Sequence, residues 1–258
     1  MTAPETRAPS ARTGVILAAG FGTRLRGVSD KTELKPLTPV GGVPLLERSV
    51  RQLEVAGCGR VVVVVGHGRA EVEAGLAGYR GPCEVVFADN PRFDLKNGVS
   101  VLAARPFVET EVFILSMADH VVGDEVMRLA GAHEPPVEGA TLLIDRKLAT
   151  IFDMDDATKV LTDRASGTGE KIARIGKQLV EFDAVDVGIF VCTSALMSAL
   201  ERFFHARGDA SLSEGVQTLS ESGRMEVLDI GDGFWQDVDT PEMLAHAELE
   251  LARRAGRS

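Results

Sequence analysis

Five consecutive valines at positions 61–65 constrain the fold of this chain more than any other stretch. β-Branched residues favour extended backbone. A run with no polar alternate needs cover on both faces, as a strand has in a parallel sheet layered between helices. The sequence supplies companion strands at 15–19, 83–87, 112–115 and 141–144, and further ones at 172–175, 185–191 and 226–230. Helical spacings alternate with them. Pro44 opens one helix, carried by Leu45, Leu46, Val50, Leu53 and Val55 and ended by Gly57 and Gly59. Others are expected at 69–76, 99–104, 124–132, 196–204 and 212–219. A last helix starts at Thr240-Pro241-Glu242, a cap followed by a first-turn proline and an early acid, and runs to about Arg254. The alternation predicts an α/β fold with a mixed, mostly parallel central sheet flanked by helices.

The 258 residues suit a single domain over 13–258. Residues 1–12 lack an apolar segment and read as a disordered tail, not a signal peptide. The chain carries 38 acidic against 28 basic residues, a net charge of −10, which argues against a nucleic-acid partner. Cys58, Cys83 and Cys192 have neither metal-site nor disulfide spacing and read as reduced thiols of a cytoplasmic protein. No apolar run reaches the ~18 residues of a membrane span, so no membrane insertion is expected.

In such sheets ligands sit beyond the carboxyl ends of the strands. After the first strand come Gly20 and Gly22, then Arg24, with Lys35 following before Pro36 and Leu37. Glycines let backbone N–H groups crowd an anion, and two nearby cations suit a polyphosphate. No acid occurs from Thr13 to Ser29, a basic island in an acidic chain. Leu25 occupies the place of the third glycine of a dinucleotide fingerprint, which disfavours a dehydrogenase, and the Gly-Lys-Ser/Thr end of a P-loop is missing.

The same rule aims Asn90, Asn97 and Ser100, and then Asp119, at a common crevice. Asp119 reads most simply as a turn acid, but its position suits an oxygen ligand of Mg²⁺. Asp237 and Asp239 precede a helix that Thr240 already caps, and on an extended segment they share one face. With Asp119 they form a candidate Mg²⁺ site. Asn90, Asn97 and Ser100 read either as loop chemistry or as base and ribose recognition. Lys159, among four acids, reads as a surface ion pair, and His120 as a packed histidine.

The segment Leu17-Ala18-Ala19-Gly20-x-Gly22-x-Arg24-Leu25, followed by Lys35-Pro36-Leu37, resembles the signature of the sugar-phosphate nucleotidyltransferases. Later segments resemble the CTP:inositol-1-phosphate cytidylyltransferases: Leu143-Ile144-Asp145-Arg146-Lys147, Asp156-Ala157-Thr158-Lys159-Val160, Ile175-Gly176-Lys177, Asp186-x-Gly188-x-Phe190 and Trp235-Gln236-Asp237-Val238-Asp239. Asn90 to Leu102 also resembles choline-phosphate cytidylyltransferases. The resemblance covers roughly 13–250 and implies a Rossmann-like fold, CTP, Mg²⁺, and in-line attack of an acceptor phosphate on the α-phosphorus. It implies that Leu17, Ala18, Ala19, Gly20, Gly22 and Arg24 line the nucleotide with Asn97, Ser100 and Asp119. Arg24 and Lys35 would be catalytic, Lys35 by stabilising the transferring phosphoryl group. Lys159, Lys177 and Asp186 would meet the acceptor, and Asp119 with Asp237 or Asp239 the metal.

Two residues depart from the family pattern. Ala118 stands where glycine is usual and would crowd the metal ligand, and Val187 stands where threonine is usual and would signal a changed acceptor. The expected activity is CMP transfer from CTP to a polyol phosphate, foremost inositol 1-phosphate. Choline phosphate, a phosphonate or a sugar phosphate is the alternative acceptor, and a non-catalytic nucleotide-binding domain the rival class. A homo-oligomer is compatible with the sequence. Many relatives are fused to a membrane CDP-alcohol phosphatidyltransferase, which here is expected as a separate partner.

Overall fold

A computed structural model describes residues 12–20, 34–163 and 169–256. The tail expected over 1–12 lies outside them except for Arg12, as do Gly22 and Arg24. In chain order the elements begin with β1 (Arg12–Leu17), a small hairpin of β2 (Pro39–Val40) and β3 (Val43–Pro44), and α1 (Leu45–Val55). Then come β4 (Cys58–Val65), α2 (Arg69–Gly75), β5 (Glu84–Asp89), α3 (Asn97–Ala104), β6 (Val112–Met117), β7 (His120–Val122) and α4 (Asp124–Ala132). The second half holds β8 (Ala140–Asp145), β9 (Lys159–Asp163), β10 (Lys171–Gly176), β11 (Ala184–Thr193), α5 (Ser194–Arg207), α6 (Leu212–Glu221), β12 (Met225–Asp229), β13 (Trp235–Asp237) and α7 (Pro241–Ala255).

Nine strands form one sheet in the order β5-β4-β1-β6-β11-β8-β12-β10-β9. The four from β5 to β6 are parallel. Beyond them the sheet is mixed, because β11 runs against both β6 and β8 while β8 and β12 are parallel. The valine run is the carboxyl-terminal part of β4 and is buried on both faces. Val62 and Val64 pack with residues of α3, α5 and α6, and Val61, Val63 and Val65 with residues of α1, α2 and α4. That is the period-2 alternation of a strand covered twice.

β1 ends at Leu17, so Ala18 and Ala19 lie past the strand, although the Ala18 amide still donates to Val64 O at 2.9 Å. β9 and the β7–β13 ribbon carry no local signal in the sequence. The ribbon is three residues on each side, held by Trp235 opposite Val122, Gln236 opposite Val121 and Asp237 opposite His120. A third apolar cluster of Val40, Leu45, Val121, Phe234, Val238 and Ala247 fixes α7 beneath it.

Candidate active site

The parallel strands deliver their carboxyl ends to one edge of the sheet, where β1, β6, the ribbon and the start of β11 meet. β1 and β6 are neighbours, and the Ala118 amide donates to Leu17 O at 3.3 Å. Asp119 follows immediately, and its carbonyl accepts from the Val238 amide at 2.9 Å. That bond and the ribbon bring the 237–239 segment alongside Asp119 at the end of β6, although Asp237 lies more than a hundred positions further along the chain.

Lys35 enters from the other side on a 3-10 turn (Lys35–Leu37). Pro36 is buried, and the Thr38 amide closes the turn on Lys35 O at 3.1 Å. The Lys35 ammonium donates to Asp119 Oδ2 at 2.5 Å and is ion-paired with Asp239 Oδ1. Burial works against its charge, but Asp119 and Asp239 outweigh it and hold its pKa above the usual lysine value. Burial likewise opposes the Asp119 charge, yet Lys35 and His120 hold it well below the usual carboxylate range.

His120 meets Asp119 Oδ1 through Nδ1 at 2.6 Å and stacks on Trp235 with 5.8 Å between ring centroids. Trp235 Nε1 is itself fixed by donating to Asp145 Oδ2 at 2.9 Å. Burial lowers the His120 pKa, but Asp119 leads a set of acids with Asp237 and Asp186 that raises it above the usual value. The third side of the imidazole is the backbone of Gly188, at φ 76°, where a Cβ would stand 2.6 Å from Cδ2 and Nε2. The glycine of the Asp-x-Gly-x-Phe segment is therefore required by this close approach.

A cavity of about 190 Å³ opens beside this cluster, lined among others by Asn97, His120, Asp156, Lys177, Asp186 and Asp237. Asp186 accepts from the Gly188 amide at 2.7 Å, and burial pushes its carboxyl up to about 6. Burial also raises Asp237, with Asp119 and Asp239 adding to the effect and His120 opposing it. Lys177 pairs with Asp156 at 2.6 Å at the cavity mouth. Oxygens of Asp156, Asp237 and Asp239 come within 4.8 Å of one another. An all-oxygen donor set of this kind fits a hard cation such as Mg²⁺. The structure thus groups Asp237 and Asp239 as the sequence suggests. It adds Asp156, and it engages Asp119 with Lys35 and His120.

Other expected residues fall elsewhere. Asn97 lines the cavity, but its Oδ1 accepts from the Leu212 amide at 3.0 Å. Ser100 is buried and bonded to Asn90 Nδ2 at 2.9 Å, a tie within the 90–100 segment away from the cavity. Lys159 is no surface ion pair: it is buried, and its ammonium reaches the carbonyls of Lys177 at 3.0 Å and of Asp155 and Ala157 at 3.4 Å. Its three N–H donors hold the 155–157 loop against the end of β10 instead of pointing at an acceptor. Ala118 and Val187 face the apolar cluster under α1 and α4, so neither departure from the family pattern touches the cavity. Asp156 and the structural part played by His120 and Trp235 were not legible beforehand. For His120 and Trp235 the available signal was nearness in sequence to Asp119 and Asp237, and for Asp156 its place in the 156–160 segment.

The profile of the MobA-like NTP transferase domain matches residues 14–147, just over half of the chain. The chain belongs to this family. It is a nucleotidyltransferase, and enzymes of the family generally use a divalent metal. This NTP transferase is 38% identical over 238 residues to the bifunctional IPC transferase and DIPP synthase of Rubrobacter xylanophilus, a match covering 90% of this chain and 50% of that protein. It is 32% identical over 254 residues to the CMP-5'-(3-aminopropyl)phosphonate synthase of Streptomyces rubellomurinus, covering 92% of this chain and 38% of the other. The chain thus spans half or less of the length of these curated relatives. The solved inositol-1-phosphate CTP transferase from T. maritima superposes with a TM-score of 0.77 at 27% identity, covering 92% of this chain and 96% of that one. Among the described residues no helix is long and apolar enough to cross a membrane.

Proposed function

We propose that this NTP transferase moves CMP from CTP to inositol 1-phosphate or a closely similar polyol phosphate, giving a CDP-alcohol and pyrophosphate. The observation that carries the reading is the arrangement at the sheet edge. The buried Lys35 ammonium lies between Asp119 and Asp239, next to a cavity that holds Lys177 and Asp186. The named activities of the Rubrobacter and T. maritima proteins support it.

In this reading an acceptor phosphate oxygen forms a new bond to the α-phosphorus of CTP, and the bond from that phosphorus to the β-phosphate oxygen breaks. The ionised acceptor needs no general base, so the protein positions the groups and neutralises charge. Arg24 and the Gly20–Gly22 backbone take the triphosphate, and Asn97 the base. Lys35 steadies the charge that grows on the transferring group. Lys177 takes the acceptor phosphate, and Asp186 accepts from acceptor hydroxyls. Asp119, Asp237, Asp239 and Asp156 would hold Mg²⁺, which when bound neutralises phosphate charge. Cytoplasmic action, and use of the CDP-alcohol by a membrane phosphatidyltransferase, belong to the same reading.

A second reading keeps the reaction and takes an aminophosphonate or choline phosphate. It is favoured by the similarity to the Streptomyces synthase and by Asp156, Asp186 and Asp237 around the cavity, which suit an acceptor bearing a cationic group. Pyrophosphate release with Mg²⁺, testing five NTPs against inositol 1-phosphate, choline phosphate and aminoalkylphosphonates, decides between them. CTP with inositol 1-phosphate is the expected pair. No pyrophosphate with any pair would overturn both readings.

A further inference from the structure

Lys35 does two things at once in this fold. On the proposed reading it meets a nucleotide phosphate, and it already neutralises two of the acids on which a divalent metal would rely. Its ammonium contacts Asp119 Oδ2 at 2.5 Å and Asp239 Oδ1, and the Lys35 and Asp239 side chains are each only 10% exposed. The other Asp119 oxygen is held by His120 Nδ1 at 2.6 Å. Both Asp119 oxygens therefore face nitrogen donors. The buried Pro36 and the closed 3-10 turn fix the Lys35 backbone, so the ammonium can move only by rotation of its own side chain.

A Mg²⁺ ion holds its oxygens at about 2.0–2.1 Å, closer than an ammonium does, and two cations within ~4 Å in a poorly hydrated site repel strongly. Metal and ammonium therefore compete for Asp119 and Asp239. We infer that Lys35 is a tethered cation that keeps a divalent metal from these carboxylates until a nucleotide polyphosphate draws the ammonium away. Metal binding at Asp119 and Asp239 then follows the nucleotide. Asp237 and Asp156, whose oxygens lie within 4.8 Å of Asp239, complete the oxygen set once Lys35 has moved. The metal-free protein keeps its acids neutralised, and the same lysine is carried onto the phosphates that replace it. This inference rests on the proposed reading that nucleotide and metal meet here.

The test is Mn²⁺ binding without nucleotide, followed by electron paramagnetic resonance of the free ion, in the unchanged protein and in Lys35→Met, Lys35→Arg and Lys35→Met/Asp119→Asn. Loss of a charge-assisted bond to each acid predicts that Lys35→Met binds Mn²⁺ at least about tenfold more tightly than the unchanged protein. Lys35→Arg keeps the weak binding, and the added Asp119→Asn abolishes the gain. Equal or weaker Mn²⁺ binding in folded Lys35→Met overturns the inference. If that variant does not fold by circular dichroism, thermal unfolding of the unchanged protein decides. Mn²⁺ alone should move its Tm by no more than about 1 °C, and a larger rise overturns the inference. Pyrophosphate release by the unchanged protein tests the underlying reading separately.

Discussion

Gly188→Ala tests whether the imidazole of His120 is held from three sides. Gly188 has φ 76°, a left-handed conformation that costs an alanine about 1–2 kcal/mol. The new Cβ would stand 2.6 Å from His120 Cδ2 and Nε2, whereas ordinary contacts start near 3.4 Å. The ring has little room to yield, because Trp235 stacks on it and Asp119 binds its Nδ1 at 2.6 Å. Overpacking of this sort adds about 1–3 kcal/mol, for a total of about 2–5 kcal/mol. At roughly 2–4 °C per kcal/mol for a domain of this size, Tm falls by about 4–20 °C. A ring shifted by ~1 Å drags Asp119, and such a misplacement costs roughly a hundredfold in turnover. Gly208 supplies the control: it has the same φ of 76°, but nothing lies within 4 Å of a Cβ there. Gly208→Ala pays the conformational cost alone and keeps full pyrophosphate release. The assays are thermal unfolding and kcat for pyrophosphate release. If Gly188→Ala loses no more Tm than Gly208→Ala and keeps its kcat, the His120 packing argument is wrong.

Lys35→Ala is expected to lower kcat by at least about a hundredfold, the scale of a lost transition-state charge contact, and near-normal kcat would remove Lys35 from the chemistry. Asp119→Ala is expected to lose metal-dependent turnover while the far-ultraviolet circular dichroism stays unchanged; an active variant would place the metal elsewhere. Asp186 tests the electrostatics. Its folded pKa is raised to about 6, so the fold favours the protonated acid and wild-type stability falls as pH rises from about 4 to about 6. Asp186→Asn removes that loss, so its Tm advantage should be largest above pH 6 and shrink below pH 4. A Tm difference that does not vary with pH would contradict the shift.

The centre of the sheet was legible because its strands carry continuous apolar runs, unlike the mixed sequence of β9. The valines of β4 and the runs of β1, β6 and β8 allow no other placement. Most helix ends were legible for a similar reason, since Thr240-Pro241-Glu242 is a start signal that depends on three adjacent residues. The ribbon of β7 and β13 had no such signal. Three residues cannot show a period, and their pairing depends on a contact across more than a hundred positions. That pairing brings Asp237 to His120 and Asp119, so the residue types of the site could be named in advance but their partners could not. The pairing of the two Asp119 oxygens, one with Lys35 and the other with His120, is the clearest case.

Lys159 and Val187 show why single residues read alone are poor guides to an acceptor. A lysine among acids suggests an ion pair, yet burial sends this ammonium to three carbonyls, because a buried charge must satisfy all its donors. A valine in place of a hydroxyl suggests an altered pocket, yet on β11 alternate residues face opposite sides, and Val187 looks into the core. Its neighbours Asp186 and Gly188 line the cavity. On the proposed reading, acceptor choice belongs to residues that line the cavity, namely Asp186, Asp156 and Lys177. An acceptor switch by substitution should be sought there. Val187→Thr would put a hydroxyl into an apolar cluster, with an expected cost in stability and no change in which phosphate is used.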